Sequence, residues 1–284
     1  ATLYATLEPC SHHGRTPPCV DLILNRNIAR VVVAMLDPNP AAAHGGKRLA
    51  AAGVAFEHGL MEAEARELNI GFVSRMTRKR PWVRMKIAAT LDGRTALADG
   101  TSQWITGPQA RLDGHRWRAR ACAILTGIGT VKADDPRLSV RDVETPRQPL
   151  KVVVDSRLEI SPQAKVLEGG NALVFSAVAN KTLSAEVVLL PNKGNKVELP
   201  RMLEELARRG INELHVEAGM RLNGSLLREG CVDEFLIYLN PSFLGDEAPG
   251  MFSLPSFATL DARPKTRITS LERVGDDIRI LARL

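Results

Sequence analysis

Ala29-Arg30-Val31-Val32-Val33-Ala34-Met35-Leu36 is the stretch on which the fold turns. Its β-branched run has no polar alternation after Arg30, as a strand buried on both faces of a parallel sheet requires. Upstream, Pro17-Pro18 starts a helix over 21–27, and Ala1-Thr2-Leu3-Tyr4-Ala5-Thr6-Leu7 alternates like a strand over 2–7. Downstream, Asp37-Pro38-Asn39-Pro40 reads as a loop, 47–52 as a helix and 54–57 as a short strand. This alternation implies a βαβ layered domain. Apolar residues at 61, 65, 68, 72 and 76 predict one helix over 61–76, and Arg78-Lys79-Arg80-Pro81 marks a domain boundary.

A second α/β pattern follows the boundary. Strands are expected at 82–90, 122–126, 151–155, 172–176, 186–190, 213–217, 234–239 and 279–283. Helices are expected at 108–120, 199–209 and 222–229, with Gly127-Ile128-Gly129-Thr130 turning into a short one. A length of 284 residues favours two domains, divided here as 1–80 and 81–284.

Composition excludes several classes. Hydrophobic residues are 44% and charged residues 25%, so the chain is not intrinsically disordered. The longest apolar run, Val31 to Leu36, is six residues, too short for a membrane span. The net charge is +6, with an excess of +3 on each side of the boundary. Phosphorylated small molecules suit so mild an excess. A nucleic-acid-binding module would need a basic aromatic stripe, and aromatics are only 4%. Four cysteines make no disulfide framework, and no secretory signal is read at the start, so a cytoplasmic location is expected. Opening mid-sheet at Ala1 suggests that residues precede it.

Pro9-Cys10-Ser11-His12-His13-Gly14-Arg15-Thr16-Pro17-Pro18-Cys19 follows a strand and precedes a helix. Two thiolates so placed can ligate zinc, because a helix N-terminus stabilises their charge. With Thr6-Leu7-Glu8 in front, the string resembles the second zinc motif of the cytidine-deaminase superfamily, and in particular the RibD family of bifunctional riboflavin-biosynthesis enzymes. That resemblance implies an upstream His-x-Glu, which supplies the third zinc ligand and a proton shuttle. None precedes Cys10; His215-Val216-Glu217 lies downstream and reads as strand. His12 and His13 are read as loop residues, leaving Cys10 and Cys19 as the metal candidates.

Residues 82–284 resemble the reductase domain of the same family. The motifs are Lys86-Ile87-Ala88-Ala89-Thr90-Leu91-Asp92-Gly93-Arg94, Ser102-Gln103-Trp104-Ile105-Thr106, Gly127-Ile128-Gly129-Thr130-Val131-Lys132-Ala133-Asp134-Asp135-Pro136, Val154-Asp155-Ser156 and Glu217-Ala218-Gly219. The resemblance implies a partial cytidine-deaminase-like αβα layered domain followed by a dihydrofolate-reductase-like α/β domain. It also implies NADPH as cofactor, a phosphorylated pyrimidine substrate and a homodimer or homotetramer.

The implied reaction is reduction of 5-amino-6-(5-phosphoribosylamino)uracil to its ribitylamino product, after zinc-dependent deamination of the diaminopyrimidine. The alternative is a reductase whose deaminase remnant serves as scaffold or dimer contact. No G-x-G-x-x-G stands in a Rossmann context. The backbone of Gly219, Met220, Arg221, Leu222, Asn223, Gly224 and Ser225 is instead expected to cradle the cofactor pyrophosphate. Ala88, Trp104, Thr130, Asp134 and Ser156 complete the implied cofactor contacts, with Ser156-Arg157 suited to a 2′-phosphate. Arg118 and Arg141 are assigned to the ribose phosphate. Ser102, Leu138 and Glu217 complete the substrate pocket, and Asp134 and Glu217 are the candidate proton-transfer residues.

Overall fold

The structure is a computed structural model that describes residues 1–14, 16–179 and 183–284, so Arg15 of the cysteine motif lies outside the described residues. The chain divides into two compact units, Ala1–Arg80 and Pro81–Leu284. Among the described residues, no helix is long and apolar enough to cross a membrane.

The first unit runs β1 (Thr2–Leu7), α1 (Cys19–Asn25), β2 (Arg30–Met35), α2 (Gly45–Ala51), β3 (Ala55–His58), α3 (Glu62–Leu68) and α4 (Ile70–Arg78). Its sheet has the order β1-β2-β3, all parallel. The valine run forms the central strand, and both its faces are buried: Val31, Val33 and Met35 on one, Val32 on the other. Val31 and Val33 pack with Val20 and Ile23 of α1 and Leu49 of α2. The single helix expected over 61–76 is two helices. Asn69 separates them, its backbone leaving the helical region at φ −106° and ψ 22° while its side-chain amide donates to the Ala65 carbonyl at 2.9 Å.

The second unit runs β4 (Trp82–Thr90), α5 (Pro108–Arg120), β5 (Ala123–Gly127), α6 (Ile128–Asp134), β6 (Leu150–Val154), β7 (Ala172–Ser176) and β8 (Glu186–Leu189). It continues with α7 (Leu199–Arg208), β9 (Glu213–Val216), α8 (Met220–Arg228), β10 (Glu234–Asn240), β11 (Arg267–Val274) and β12 (Asp277–Arg283). The nine-stranded sheet has the order β11-β12-β10-β4-β9-β5-β6-β7-β8. All pairings from β10 to β8 are parallel, and β12 and β11 add an antiparallel edge. The sequence reading ended the sheet with 279–283 and missed β11. That strand is mostly exposed and needs no alternating apolar face to sit at an edge.

The central strands are two-faced, because successive side chains alternate. On β4, Val83, Met85, Ile87 and Ala89 enter the main apolar core with Met202, Leu203 and Leu206 of α7 and Leu226 of α8. The intervening Arg84, Lys86 and Ala88 share the opposite face with His215, the register partner of Arg84 on β9. Arg84 is buried there between Glu234 at 2.5 Å and Glu213 at 3.0 Å, with its guanidinium 4.4 Å from the Trp117 ring of α5. Beside it, the Tyr238 hydroxyl donates to Asp113 of α5 at 2.7 Å. Helix α5 is thus fastened to the sheet by polar and aromatic contacts.

Candidate active site

An open cleft of about 1340 Å³ lies in the second unit. It is lined by the carboxyl-terminal ends of β4, β5, β6 and β9 through Ala88, Gly127, Val154 and Glu217. The chain leaves β4 for strands on both of its sides, and such a reversal of strand order in an open α/β sheet is where a crevice opens for ligands.

Two helix starts face this cleft. Helix α8 opens on Gly219 and α6 on Gly127, and both glycines line the wall. A Cβ built on Gly127 would stand 3.0 Å from Leu222 Cδ2, so this glycine permits the close approach of the two turns. The first N–H groups of α8 have no partner within the helix and point toward its N-terminal end, where an anion is favoured. Thr130 stands behind Gly219, 3.8 Å from where its Cβ would be. Met220, Arg221, Leu222 and Asn223 also line the cleft. Gly224 and Ser225 do not, which corrects the extent of the expected cradle. Gly224 instead meets a neighbouring loop, since a Cβ there would lie 2.1 Å from the Ser253 carbonyl oxygen. Ser225 Oγ accepts from Arg228 at 3.0 Å.

The remaining expected residues converge on the same cleft: Ala88, Ser102, Trp104, Arg118, Asp134, Leu138, Arg141, Ser156 and Glu217. Ser102 Oγ donates to Asp134 Oδ1 at 3.1 Å. Trp104 is 68% exposed, which removes it from the core, and the Arg111 guanidinium lies 4.7 Å over its ring. Ser156 Oγ accepts the Val197 amide at 3.1 Å, and Arg157 is exposed beside Glu159 at 3.6 Å. Leu138 is buried with φ 47°, a left-handed backbone that is uncommon for leucine.

Arg118 and Glu217 form a bidentate pair, with Nε to Oε1 at 2.5 Å and Nη2 to Oε2 at 2.8 Å. The third guanidinium nitrogen donates to the Ser139 carbonyl at 3.1 Å. Burial alone would raise the Glu217 carboxyl, but Arg118, with His215 Nε2 at 3.3 Å, overrides it and holds the group well below the usual carboxylate range. Glu217 is therefore an anion, an acceptor rather than a proton donor. Arg118 thus has its guanidinium met by the Glu217 carboxylate and the Ser139 carbonyl. Arg141 differs, since its exposed guanidinium contacts Ser139 Oγ at 3.3 Å.

Lys86 was missed as a site residue. It lines the cleft, and burial lowers its ammonium from the ordinary lysine value, with Glu217 opposing and Arg118 adding to the shift. The available signal was a lone lysine inside the apolar end of a strand, Met85-Lys86-Ile87-Ala88-Ala89.

In the first unit, the Cys19 amide donates to Cys10 Sγ at 3.4 Å, so the motif does bring the two thiols together. Their hydrogen bond and burial raise the Cys19 thiol. Among the described residues, no group of three His, Cys, Asp or Glu side chains is gathered to hold a metal. Glu8, just before the motif, is buried and accepts the Asp37 and Gly46 amides at 3.0 and 2.8 Å.

The family profile of the RibD C-terminal domain matches residues 81–280. Over 98% of its length, the chain is 41% identical to the riboflavin biosynthesis protein RibD of Escherichia coli, covering 80% of that protein. The RibD of Aquifex aeolicus is 40% identical, with 98% of this chain and 79% of the relative covered. Among solved structures, Acinetobacter baumannii RibD superposes with a TM-score of 0.90 at 36% identity, over 98% of this chain and 79% of that one. The Thermotoga maritima protein described as a diaminohydroxyphosphoribosylaminopyrimidine deaminase/5-amino-6-(5-phosphoribosylamino)uracil reductase has a TM-score of 0.87 at 31% identity, over 98% and 78% of the two chains. By sequence, by domain and by three-dimensional likeness, the chain belongs to the RibD family of riboflavin biosynthesis proteins.

Proposed function

We propose that the second unit reduces 5-amino-6-(5-phosphoribosylamino)uracil with NADPH, in riboflavin biosynthesis. The observation that carries this reading is the convergence, on one cleft, of the glycine-opened start of α8, the Glu217 carboxylate, the Lys86 amine and the accessible guanidinium of Arg141. The fit to a dinucleotide rests on the same wall, where a Cβ on Gly127 would close the gap to Leu222. NADPH, when bound, supplies hydride to C1′ of the sugar.

The chain's residues do the rest. The start of α8 and Thr130 hold the pyrophosphate, and Ser156 with Arg157 receives the 2′-phosphate. Arg141 holds the substrate phosphate as a charge-assisted contact. Arg118 orients Glu217, whose carboxylate accepts from the sugar hydroxyls, and Asp134 accepts from another with Ser102 beside it. Lys86 carries the proton that the reduction consumes, because Glu217 is held ionised and has none to give.

Cys10 and Cys19 are assigned as two ligands of a zinc ion serving the deaminase half of the family pattern. The described residues do not supply a third ligand beside them. A homo-oligomer and a cytoplasmic location complete the proposal.

The test is NADPH oxidation by the purified chain in the presence of the deaminated phosphoribosylaminouracil, with NADH in parallel. Turnover with a clear preference for NADPH is expected. No turnover would overturn the assigned reaction, and equal use of both cofactors would overturn the role of Ser156-Arg157.

A further inference from the structure

His115 lies on α5 one turn before Arg118, is only 7% exposed, and borders the cleft. Both of its ring nitrogens reach the loop that carries Arg141. The Arg141 backbone amide donates to Nδ1 at 3.4 Å, and Nε2 stands 3.1 Å from Asp142 Oδ2. Nδ1 is therefore the acceptor, which leaves the ring hydrogen on Nε2, directed at the carboxylate. The same loop is held at two other points: Arg118 grips the Ser139 carbonyl, and Gln148 exchanges two hydrogen bonds with the Val140 backbone at 2.9 and 3.0 Å. Of the loop's residues, Arg141 is the one whose backbone is fixed by an imidazole while its guanidinium stays at the cleft.

We propose that His115 is a positioning residue for substrate binding: as a neutral imidazole it clamps the Arg141 backbone and so aims the Arg141 guanidinium at the substrate's phosphate. The inference rests on the reading of Arg141 as phosphate anchor. A protonated ring would present a hydrogen on Nδ1 to the Arg141 N–H, and the clamp would open. The charged groups that face the ring are Arg118 from α5, Arg141 and Asp142 from the loop, and Glu217 from the end of β9. Burial first, then Arg118, lower the imidazole from its ordinary 6.5, against the pull of Asp142, so the neutral form prevails at physiological pH.

Steady-state kinetics on four variants test this: His115→Ala, His115→Asn, Arg141→Ala and the double His115→Ala/Arg141→Ala. His115→Ala should raise the KM for the phosphoribosylamino substrate about three- to tenfold, the worth of one ordinary hydrogen bond, with kcat and the NADPH KM unchanged. His115→Asn should recover most of the affinity, because its amide oxygen can take the Arg141 N–H. In the Arg141→Ala background the His115 change should add nothing, since the two act as one unit. Below pH 6.5, substrate KM should rise more steeply for the native chain than for His115→Asn, phosphate protonation being common to both.

An unchanged KM in His115→Ala, a loss confined to kcat, or additive effects in the double variant would each overturn the clamp. Should Arg141→Ala itself leave substrate KM unchanged, the phosphate reading fails, and the clamp with it. A raised KM in Arg141→Ala beside a silent His115→Ala overturns the clamp alone. If His115→Ala does not fold, His115→Asn and its pH profile still decide.

Discussion

The Arg118–Glu217 pair shows what one contact changes in the reading of a residue. From the sequence, Arg118 and Glu217 are separate candidates named through family motifs, and no spacing rule links positions 99 residues apart. Their pairing depends on how α5 lies across the end of β9, which is tertiary information. His115 and Lys86 were not legible as site residues for the same reason. Each is a single polar residue in an otherwise well-formed element, and only the fold decides which face it serves. The pair also makes a pH-dependent prediction. Glu217 is depressed below its ordinary 4.5, so its contribution is present above that value and is lost as pH falls through the lower folded-state value. Glu217→Gln leaves the Arg118 charge buried without its partner, and should lose about 3–5 kcal/mol of stability near neutral pH. Thermal or urea unfolding across acidic pH should show the gap to the native chain narrowing below pH 4.5. A gap independent of pH would mean that the ion pair is not what the substitution removes.

At the level of elements, most strands and helices of the second unit were legible, because hydrophobic runs bounded by turns report buried parallel strands directly. The failures have physical causes. One helix became α3 and α4 because the backbone of a single residue, Asn69, departs from helical angles, which apolar spacing cannot reveal. Strand β11 places Ile268, Leu271 and Val274 three apart, and its pattern is hidden because an edge strand need bury little. The α8 glycines were read as a uniform cradle, yet they serve different masters: Gly219 opens the helix at the cleft, while Gly224 admits the Ser253 backbone. Gly224→Ala should therefore lower stability by about 1–3 kcal/mol through overpacking, although alanine is the better helix former. A lowered unfolding midpoint, with NADPH affinity nearly unchanged in the folded protein, is the expected result. A stabilised variant would show that the Ser253 loop can move aside at little cost.

Across the whole molecule, each unit buries its own apolar cluster, the first around Val31 and Leu49, the second around Met85, Phe175 and Met202. All cleft residues belong to the second. A fragment comprising residues 81–284 should accordingly unfold in one cooperative transition and bind NADPH, as checked by calorimetry and by quenching of tryptophan fluorescence. A fragment that is soluble but unfolded would show that the second core does not suffice by itself. The division into 1–80 and 81–284 was readable from a basic, proline-stopped stretch, whereas which face of the sheet carries chemistry was not. Strand β4 has that division built into its alternation, with the odd positions 83–89 in the core and Arg84, Lys86 and Ala88 on the polar side. A one-residue insertion or deletion within β4 would exchange the two sets, sending a lysine into the oil and a methionine to the cleft. Heritable change along this strand is thereby restricted to substitution, and neighbouring codons answer to different pressures, one to solubility of the fold and the next to turnover.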